Sequence, residues 1–482
     1  MAQAAGKHHH RAARPATSDL ARQVRELRAE VQSLKATLSA QSQAQQQTQA
    51  QVQSAQTQAA AAQVQAQAAR SALDSQIATI PTTVASAVAN QPKPKTSPLS
   101  YGGVNITLGG YLAAEAIYRS RSEGADIASS FGGIPLGNNR AAQAEEFRGT
   151  ARQSRLSALV QGDVNPTTHA AMYGEFDFQS AAQTANSVES NSYNLRIRHL
   201  YGTIDWDTLG LHVLAGQNWS LATLNTKGIT PRNELPPPGI EAQYVPGFVW
   251  TRQPQLRLTK DLLDKSLWLS VSLENPQTTF FTVGSGPGAG TLPASLVYNM
   301  SPLAGFDALN TLSLNHVPDV IGKIAYEPEV AGRKVHLEAF GIYRDFYSRL
   351  NGSNHDVQGG GFGFGIVAPL VPGRLDVQLS GLAGKGIGRY GSSQLPDVTF
   401  APDGSVRPIS ETMVLGGVTL HATPELDVYL FGGEERTERK AYTVGSTAYG
   451  YGNPLYVNTG CFSETAIGAC NGNTRQVDQV TL

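Results

Sequence analysis

The side chains best suited to chemistry are arginines that alternate with apolar residues in strand-like segments. In YNLRIRHLYGTID (193–205), Arg196 and Arg198 alternate with Leu195 and Ile197. Guanidinium groups offer paired donors that match the two oxygens of a carboxylate. Because burying an unpaired charge costs several kcal/mol, such a strand must turn its arginines toward water or a counter-charge. We predict an anion-attracting track formed by Arg155, Arg196, Arg198 and Arg257.

Carboxylates lie among these arginines in the sequence. Glu175 and Asp177 share the polar face of segment 169–179, and Glu115 lies on the polar face of the first strand-like segment. Facing rows of acidic and basic side chains would set a transverse field across a narrow pore. Two interpretations stay open: the arginines attract a passing anion, or they form structural salt bridges with Glu175 and Asp177.

The elements that carry these side chains alternate in polarity with period two from residue 101 onward, which indicates strands. Long and short connections follow each other in turn, and the long ones are roughly 120–146, 180–192, 221–248, 276–318, 346–357, 389–410 and 438–472. This pattern is typical of a transmembrane up-and-down antiparallel β-barrel, whereas a soluble Greek-key sandwich has no reason to place every long loop at one end. We therefore predict an all-β barrel over 101–482 whose polar face lines a wet lumen and whose apolar face contacts outer-membrane lipid.

The strand count and the lengths of the connections allow two further predictions. Thirteen strands precede NTRQVDQVTL (473–482), which begins a fourteenth, and bacterial barrels have even strand numbers. We expect a C-terminally truncated chain that ends within strand 14 of a barrel with about sixteen strands when complete. The short turns are expected on the periplasmic side and the long loops outside the cell.

The third long loop, 221–248, contains TPRNELPPPG, whose prolines stiffen the chain. If this loop folds into the lumen, it narrows the pore, with Arg232 and Glu234 at the constriction. The alternative is a surface loop that packs on a neighbouring molecule.

Composition argues against several other functions. The net charge is −1, so the chain has no excess of basic residues that would bind nucleic acid. The sequence contains no run of 18 apolar residues, so we predict no membrane-spanning helix. Gly-x-Ser-x-Gly, His-Glu-x-x-His and Cys/His cluster motifs are absent, so we predict neither an enzyme nor a cofactor or metal site. Cys461 and Cys470, in the last long loop, are expected to form a disulfide in an oxidising compartment, with two free thiols as the alternative.

The N-terminal region has a different pattern. Within 19–90, apolar residues recur at alternating spacings of 4 and 3 from Leu20 to Leu38, and one heptad register persists to Ile80. This predicts an α-helical coiled coil, with a solvated single helix as the alternative. Residues 1–18 are predicted to be a disordered basic tail, and 91–100, with three prolines, an extended linker.

Six segments from 109 to 391 stand in a specific order: GGYLAAEAIY (109–118), ARQSRLSALV (151–160), LRIRHLYGTI (195–204), AGQNWSL (215–221), PDVIGKIAYE (318–327) and GKGIGRYG (384–391). Together they resemble the DcaP-like family of outer-membrane porins. The resemblance implies a homotrimer in the outer membrane of a Gram-negative bacterium, with the coiled coil in the periplasm. It also implies passage of small anions such as dicarboxylates and aromatic acids. The family's C-terminal closing strands have no counterpart in this sequence.

The sequence thus predicts a passive diffusion channel for small, anionic carboxylate solutes. The alternative, from another class of function, is an envelope-spanning tether. In that case the coiled coil would bridge the periplasm and contact peptidoglycan, and the barrel would serve only as a membrane anchor.

Overall fold

A computed structural model describes residues 99–180, 193–284, 288–297, 299–300, 312–313, 315–464 and 472–482, together with Gln32 and Lys35. The chain divides into two compact units, Met1–Lys95 and Thr96–Leu482. In the first unit, Gln32 and Lys35 are helical and exposed. The rest of the predicted tail and coiled coil, and the linker up to residue 98, lie outside the described residues. Leu99 and Ser100, predicted to be linker, already belong to a strand.

The second unit is built from strands. In chain order they are β1 (Leu99–Tyr101), β2 (Val104–Tyr111), β3 (Glu115–Arg119), β4 (Glu146–Thr150), β5 (Arg155–Asn165), β6 (Thr168–Ser180), β7 (Asn194–Trp206), β8 (Leu211–Trp219), β9 (Arg252–Leu262), β10 (Leu267–Glu274), β11 (Asn299–Met300), β12 (Leu312–Ser313), β13 (Asp319–Tyr326), β14 (Glu329–Val330), β15 (Arg333–Lys334), β16 (His336–Leu350), β17 (Ser353–Val371), β18 (Leu375–Lys385), β19 (Val398–Phe400), β20 (Val406–Pro408), β21 (Ser410–Thr423), β22 (Leu426–Thr437), β23 (Lys440–Val444), β24 (Thr447–Tyr451) and β25 (Gln476–Thr481). Short 3-10 helices occupy Phe131–Gly133, Arg140–Gln143, Asp207–Leu209, Gly388–Tyr390 and Thr459–Cys461. Among the described residues, no helix is both long enough and apolar enough to cross a membrane.

Fifteen strands form one antiparallel sheet in which sheet neighbours follow each other along the chain. Its order is β1-β2-β5-β6-β7-β8-β9-β10-β13-β16-β17-β18-β21-β22-β25, so β1 and β25 are its edges. The remaining described strands pair as small hairpins within the connections. This up-and-down order agrees with the predicted topology. At the turn between β7 and β8, Gly210 has φ +52°, a conformation that favours glycine.

The connection predicted as a long loop at 346–357 is instead a strand pair, so that prediction is wrong. β16 and β17 stay paired from His336↔Val367 to Leu350↔Ser353 and turn through Asn351 and Gly352. The polar and glycine residues of this segment are typical of loops, but unbroken cross-strand pairing overrides that preference. With 19 residues, β17 is much longer than the 9–11 residues that a membrane-spanning strand needs.

The apolar faces of the strands point away from the protein interior. In β9, Leu256 and Leu258 are 53% and 45% exposed, whereas Arg257 between them is 2% exposed. In β10, Leu269, Val271 and Leu273 are exposed while Ser270 and Ser272 are buried. A soluble sheet shows the reverse arrangement, because the hydrophobic effect drives apolar side chains away from water. The observed pattern is that of a wall with lipid on its outer side and an enclosed polar interior.

Two connections fold into this interior: the first inward loop (220–251), between β8 and β9, and the second inward loop (386–409), between β18 and β21. Their residues form an apolar cluster with inward side chains of the wall, which comprises Leu221, Ala222, Ile229, Val249, Ile387 and Tyr390 of the loops and Trp268, Ile321, Ala325, Phe340, Ile342, Leu382 and Met413 of the strands. The prediction that the strands present a uniformly polar, wet face to the lumen is therefore wrong beside these loops. Apolar side chains are favourable there because the loops exclude water from them.

Candidate functional site

Three neighbouring strands, β5, β6 and β7, bring the predicted arginines and carboxylates together. The strand register places Arg155 opposite Asp177, and Asp177 opposite Arg196. A register shift in the β6–β7 pairing next to Glu175 lies beside Arg198, and Arg198 and His199 are both buried although they are adjacent in sequence. A β-bulge of this kind re-aims side chains. The bulge places His199 on the interior face of the wall, whereas strict alternation after Arg198 would have placed it on the outer face.

Asp177 is the centre of a buried ion network. Its two carboxylate oxygens accept hydrogen bonds from Arg196 Nε at 2.9 Å and from Arg196 Nη2 at 2.7 Å. Arg198 Nη1 donates to Asp177 Oδ2 at 3.0 Å. The first contact is a bidentate guanidinium–carboxylate pair, the geometry that holds both side chains most rigidly.

Arg198 connects this network to the first inward loop. Its Nε donates to Glu175 Oε1 at 2.6 Å, and its Nη2 donates to the Tyr244 hydroxyl at 3.1 Å. Arg155 Nη1 lies 3.7 Å from the same Glu175 oxygen, and its guanidinium group stacks 5.3 Å from the centre of the Tyr111 ring. Glu175 is therefore shared by Arg155 and Arg198, so its single negative charge offsets only one of their two positive charges.

The first inward loop crosses the interior and is held by the wall on several sides. Near its middle, Asn218 of β8 donates to Glu234 Oε1 at 2.9 Å, and Gln378 of β18 donates to the Leu235 carbonyl at 3.2 Å. β18 lies six positions beyond β8 in the sheet order. The loop is thus fixed between distant parts of the wall, which supports the predicted lumenal position rather than a surface position.

A cavity of about 390 Å³ lies between this loop and strands β5 to β8. Its lining comprises Arg155, Tyr173, Glu175, Arg198, His199, Tyr201, Asn218 and Trp219 of the strands and Arg232, Glu234, Pro236, Pro237, Pro238, Gly239 and Tyr244 of the loop. Three arginines and two glutamates leave one net positive charge on the lining. The structure therefore brings together both predicted constriction residues, two of the four predicted track arginines and one predicted carboxylate.

The other predicted residues lie outside the lining. Arg196 is partly exposed and engaged with Asp177. Arg257 is buried and donates to the side-chain oxygen of Gln255 and to the Trp219 carbonyl at 2.7 Å. Glu115, in β3, accepts a hydrogen bond from the Gln153 side chain at 2.9 Å. These contacts give Arg257 and Glu115 positions that support the wall rather than the cavity.

Two further residues beside the cavity carried no signal in the sequence. Tyr244 reaches the cavity from the first inward loop, and Arg252 lies with its guanidinium group 4.7 Å from the centre of the Trp219 ring. Burial raises the pKa of the Tyr244 hydroxyl, but the guanidinium groups of Arg252 and Arg198 more than offset this and hold it below its ordinary range. Arg198 and Arg252 thus both stabilise the charged form of this hydroxyl.

Glu435 of β22 anchors both inward loops at once. Its carboxylate accepts the backbone N–H of Gly247 at 2.7 Å and the backbone N–H of Ser393 at 3.1 Å. The two loops also contact each other directly, because Trp250 Nε1 donates to the Gly391 carbonyl at 2.8 Å. The position of the first loop thus depends on the second.

Arg344 of β16 performs the same role for the second inward loop. It is fully buried and lies 3.1 Å from Asp319 of β13 and 2.7 Å from Asp397 of the loop.

Cys461 is buried and disulfide-bonded, and Cys470, the only other cysteine of the chain, lies outside the described residues.

No protein-family model matches the chain, and no curated protein matches it. Among solved structures, the fold of this antiparallel sheet is similar to that of an outer-membrane channel. In particular, the structure is similar to the outer membrane channel DcaP of Acinetobacter baumannii, with a TM-score of 0.52 and 21% identity over 70% of this chain and 80% of that one. This confirms, for the fold, the resemblance found in the sequence motifs.

Two further solved structures match with lower scores. OprB of Pseudomonas putida has a TM-score of 0.40 and 10% identity over 70% of this chain and 76% of that one. OmpF of Salmonella typhi, in complex with daunomycin, has a TM-score of 0.37 and 7% identity over 80% of this chain and 99% of that one.

Proposed function

We propose that this protein is an outer-membrane porin through which small anionic solutes, carboxylates in particular, diffuse passively. The observation that carries the proposal is the 390 Å³ cavity inside the wall, lined by Arg155, Arg198 and Arg232 against Glu175 and Glu234. Its volume lies within the range of about 300–1,000 Å³ typical of small-molecule sites. A solute of a few carbon atoms therefore meets fixed charges on several sides at once.

The contacts that fix the geometry of the arginines also hold their guanidinium groups in position to attract an anion. Glu175 and Asp177 orient Arg198, but the lining keeps one net positive charge, and Arg252 behind it adds another. Preformed guanidinium groups bind a carboxylate with little loss of side-chain entropy. Salt bridging and anion attraction are therefore compatible roles of the same side chains.

The first inward loop is the constriction in this proposal. It contributes Arg232 and Glu234 to the cavity and is anchored to β8, β18 and β22. A loop held at both sides of the lumen sets a constant narrow diameter, which a diffusion pore needs for selection by size.

The assembly that we propose is a homotrimer in the outer membrane, with the long connections outside the cell and the N-terminal coiled coil in the periplasm, where it is free to contact peptidoglycan. Support for a barrel–barrel contact comes from the glycine-rich centre of β17, where Phe362 is 82% exposed. Glycines let neighbouring surfaces approach closely, and a protruding aromatic ring on a flat surface fills a facing groove.

The experiment is single-channel recording of the purified full-length protein in planar bilayers, with a tenfold salt gradient to measure the reversal potential. The double variant Arg196→Ser, Arg198→Ser removes two positive charges, so we expect its anion preference to fall. Arg374→Ser, an exposed arginine at the turn before β18, is the matched control and should leave the reversal potential unchanged. No conductance from correctly folded protein would contradict the channel, and an unchanged reversal potential in the double variant would contradict the role of the arginines.

A further inference from the structure

A second cluster of polar side chains lies outside the cavity, beside the projecting end of the β16–β17 hairpin. His316 precedes β13, Asp345 lies in β16 and Asp356 lies in β17. His316 Nε2 is 3.2 Å from Asp345 Oδ1 and 3.1 Å from Asp356 Oδ1. All three candidate ligand atoms lie within 4.8 Å of one another.

These distances are those of ligand atoms around one metal ion. Nitrogen and oxygen ligands at about 2.0–2.2 Å from a divalent cation are separated from each other by about 3–3.6 Å when adjacent in its coordination shell. Hydrogen bonding explains the arrangement less well, because one imidazole nitrogen carries at most a single hydrogen and faces two carboxylates.

The burial of Asp345 is an independent observation that indicates a ligand. The side chain of Asp345 is only 6% exposed, and its Oδ1 atom has no hydrogen-bond partner among the described residues. A buried carboxylate oxygen without a donor is costly, whereas a coordinated cation compensates its charge. This oxygen is the atom that points toward His316 Nε2.

The cluster is also held in place by its surroundings. The Tyr347 ring packs on the His316 imidazole with 4.3 Å between the ring centres. Asn315 Nδ2 donates to the Asp345 carbonyl at 3.2 Å, which fixes the chain next to His316 against β16. Supporting contacts of this kind orient the ligands of metal sites.

We propose that His316, Asp345 and Asp356 bind a divalent transition-metal ion, and that Zn²⁺ is the ion of choice. Imidazole with carboxylates suits Zn²⁺, whereas Ca²⁺ and Mg²⁺ prefer shells made of oxygen alone. Three protein ligands leave a position for water. The bound ion ties the connection before β13 to the β16–β17 hairpin at the end of the barrel where the long connections lie.

The test is isothermal titration of Zn²⁺ into the purified full-length protein in detergent. His8, His9 and His10 are themselves potential Zn²⁺ ligands, so the titration uses a background in which all three are replaced by Gln. We expect one Zn²⁺ per chain, and a loss of affinity of at least about tenfold in His316→Gln and in Asp356→Asn. His316 and Asp356 are both exposed, so these substitutions leave the barrel intact.

The control is His355→Gln, which changes an exposed histidine next to Asp356 that is not part of the cluster. This variant should bind Zn²⁺ as the background protein does. A rise in melting temperature on addition of Zn²⁺, present in the background and lost in Asp356→Asn, would support the proposed tie between the two segments. Absence of Zn²⁺ binding in the background, or equal affinity in His316→Gln and Asp356→Asn, would overturn the proposal.

Discussion

Glu175→Gln is the substitution that separates the two roles of the arginines, because it removes a charge from the cavity but keeps an acceptor. Gln retains an oxygen for the 2.6 Å bond from Arg198 Nε, and Arg198 keeps Asp177 and Tyr244. The net charge of the lining rises by one. If the arginines serve only as structural salt bridges, this change should not affect ion selection.

The size of the effect follows from the geometry of the cavity. A sphere of 390 Å³ has a radius of about 4.5 Å, which places a permeating ion about that far from Glu175. Removing one charge at this distance changes the energy of a monovalent ion by about 1 kcal/mol at a dielectric constant of about 80, and by about 4 kcal/mol at about 20. The wet limit corresponds to about a fivefold gain for the anion, and the cation loses as much.

The assay is the reversal potential in a tenfold KCl gradient at low ionic strength, where screening is weakest. We expect the ratio of anion to cation permeability to rise at least about 25-fold in Glu175→Gln, the product of the gain for the anion and the loss for the cation. Glu329→Gln makes the same chemical change at an exposed position of β14 and should leave the ratio unaltered. A ratio in Glu175→Gln that equals the wild-type value, or that moves toward cations, would refute the electrostatic reasoning.

Three further predictions concern the same wall and its loops. Arg155→Gln should lower the permeability ratio by a similar factor of about 25, since it removes a positive charge from the lining. Glu435→Ala should raise single-channel conductance and its noise, because both inward loops lose a buried anchor. Arg344→Met should lower the free energy of unfolding by about 3–5 kcal/mol in urea titrations followed by tryptophan fluorescence, since it leaves two buried carboxylates without their cation.

Each of these further predictions has an outcome that would contradict it. An anion-to-cation permeability ratio that stays at the wild-type value in Arg155→Gln would remove that residue from the permeation path. Unchanged conductance in Glu435→Ala would mean that other contacts suffice to hold the loops. A loss below about 1 kcal/mol in Arg344→Met would indicate that solvent reaches the two carboxylates.

The site could be predicted from the sequence where alternation was regular. Arg196 and Arg198 share a face with period two, and the order of long and short connections placed them beside Glu175 and Asp177. His199 escaped prediction because the β-bulge breaks this period, and a single extra residue leaves no mark in the local pattern. Tyr244 escaped because its position depends on how a 32-residue connection folds back across the lumen, which local sequence does not encode. Arg252, the first residue of β9, escaped because the pattern around it does not reveal its contact with Trp219.

The fold, too, could be predicted where the pattern of a single strand decides it, but not where distant segments of the chain meet. The outward apolar faces of β9 and β10 follow from the pattern of each strand. The burial of Ile321 against the first inward loop, and the meeting of His316 with Asp345 and Asp356, depend on segments brought together only in the folded chain. The prediction of a loop around Asn351 is wrong because the polar residues there remain paired across the two strands.

The central claim is that ions pass between the first inward loop and the wall, and cysteine accessibility tests it directly. Tyr173→Cys places a thiol in the cavity lining, and Leu256→Cys places one on the exposed apolar face of β9. Each variant is recorded in planar bilayers before and after addition of a charged methanethiosulfonate reagent. The account predicts a stepwise fall in conductance for Tyr173→Cys and no change for Leu256→Cys. Modification of Tyr173→Cys, verified by mass spectrometry, without any change in conductance would contradict it.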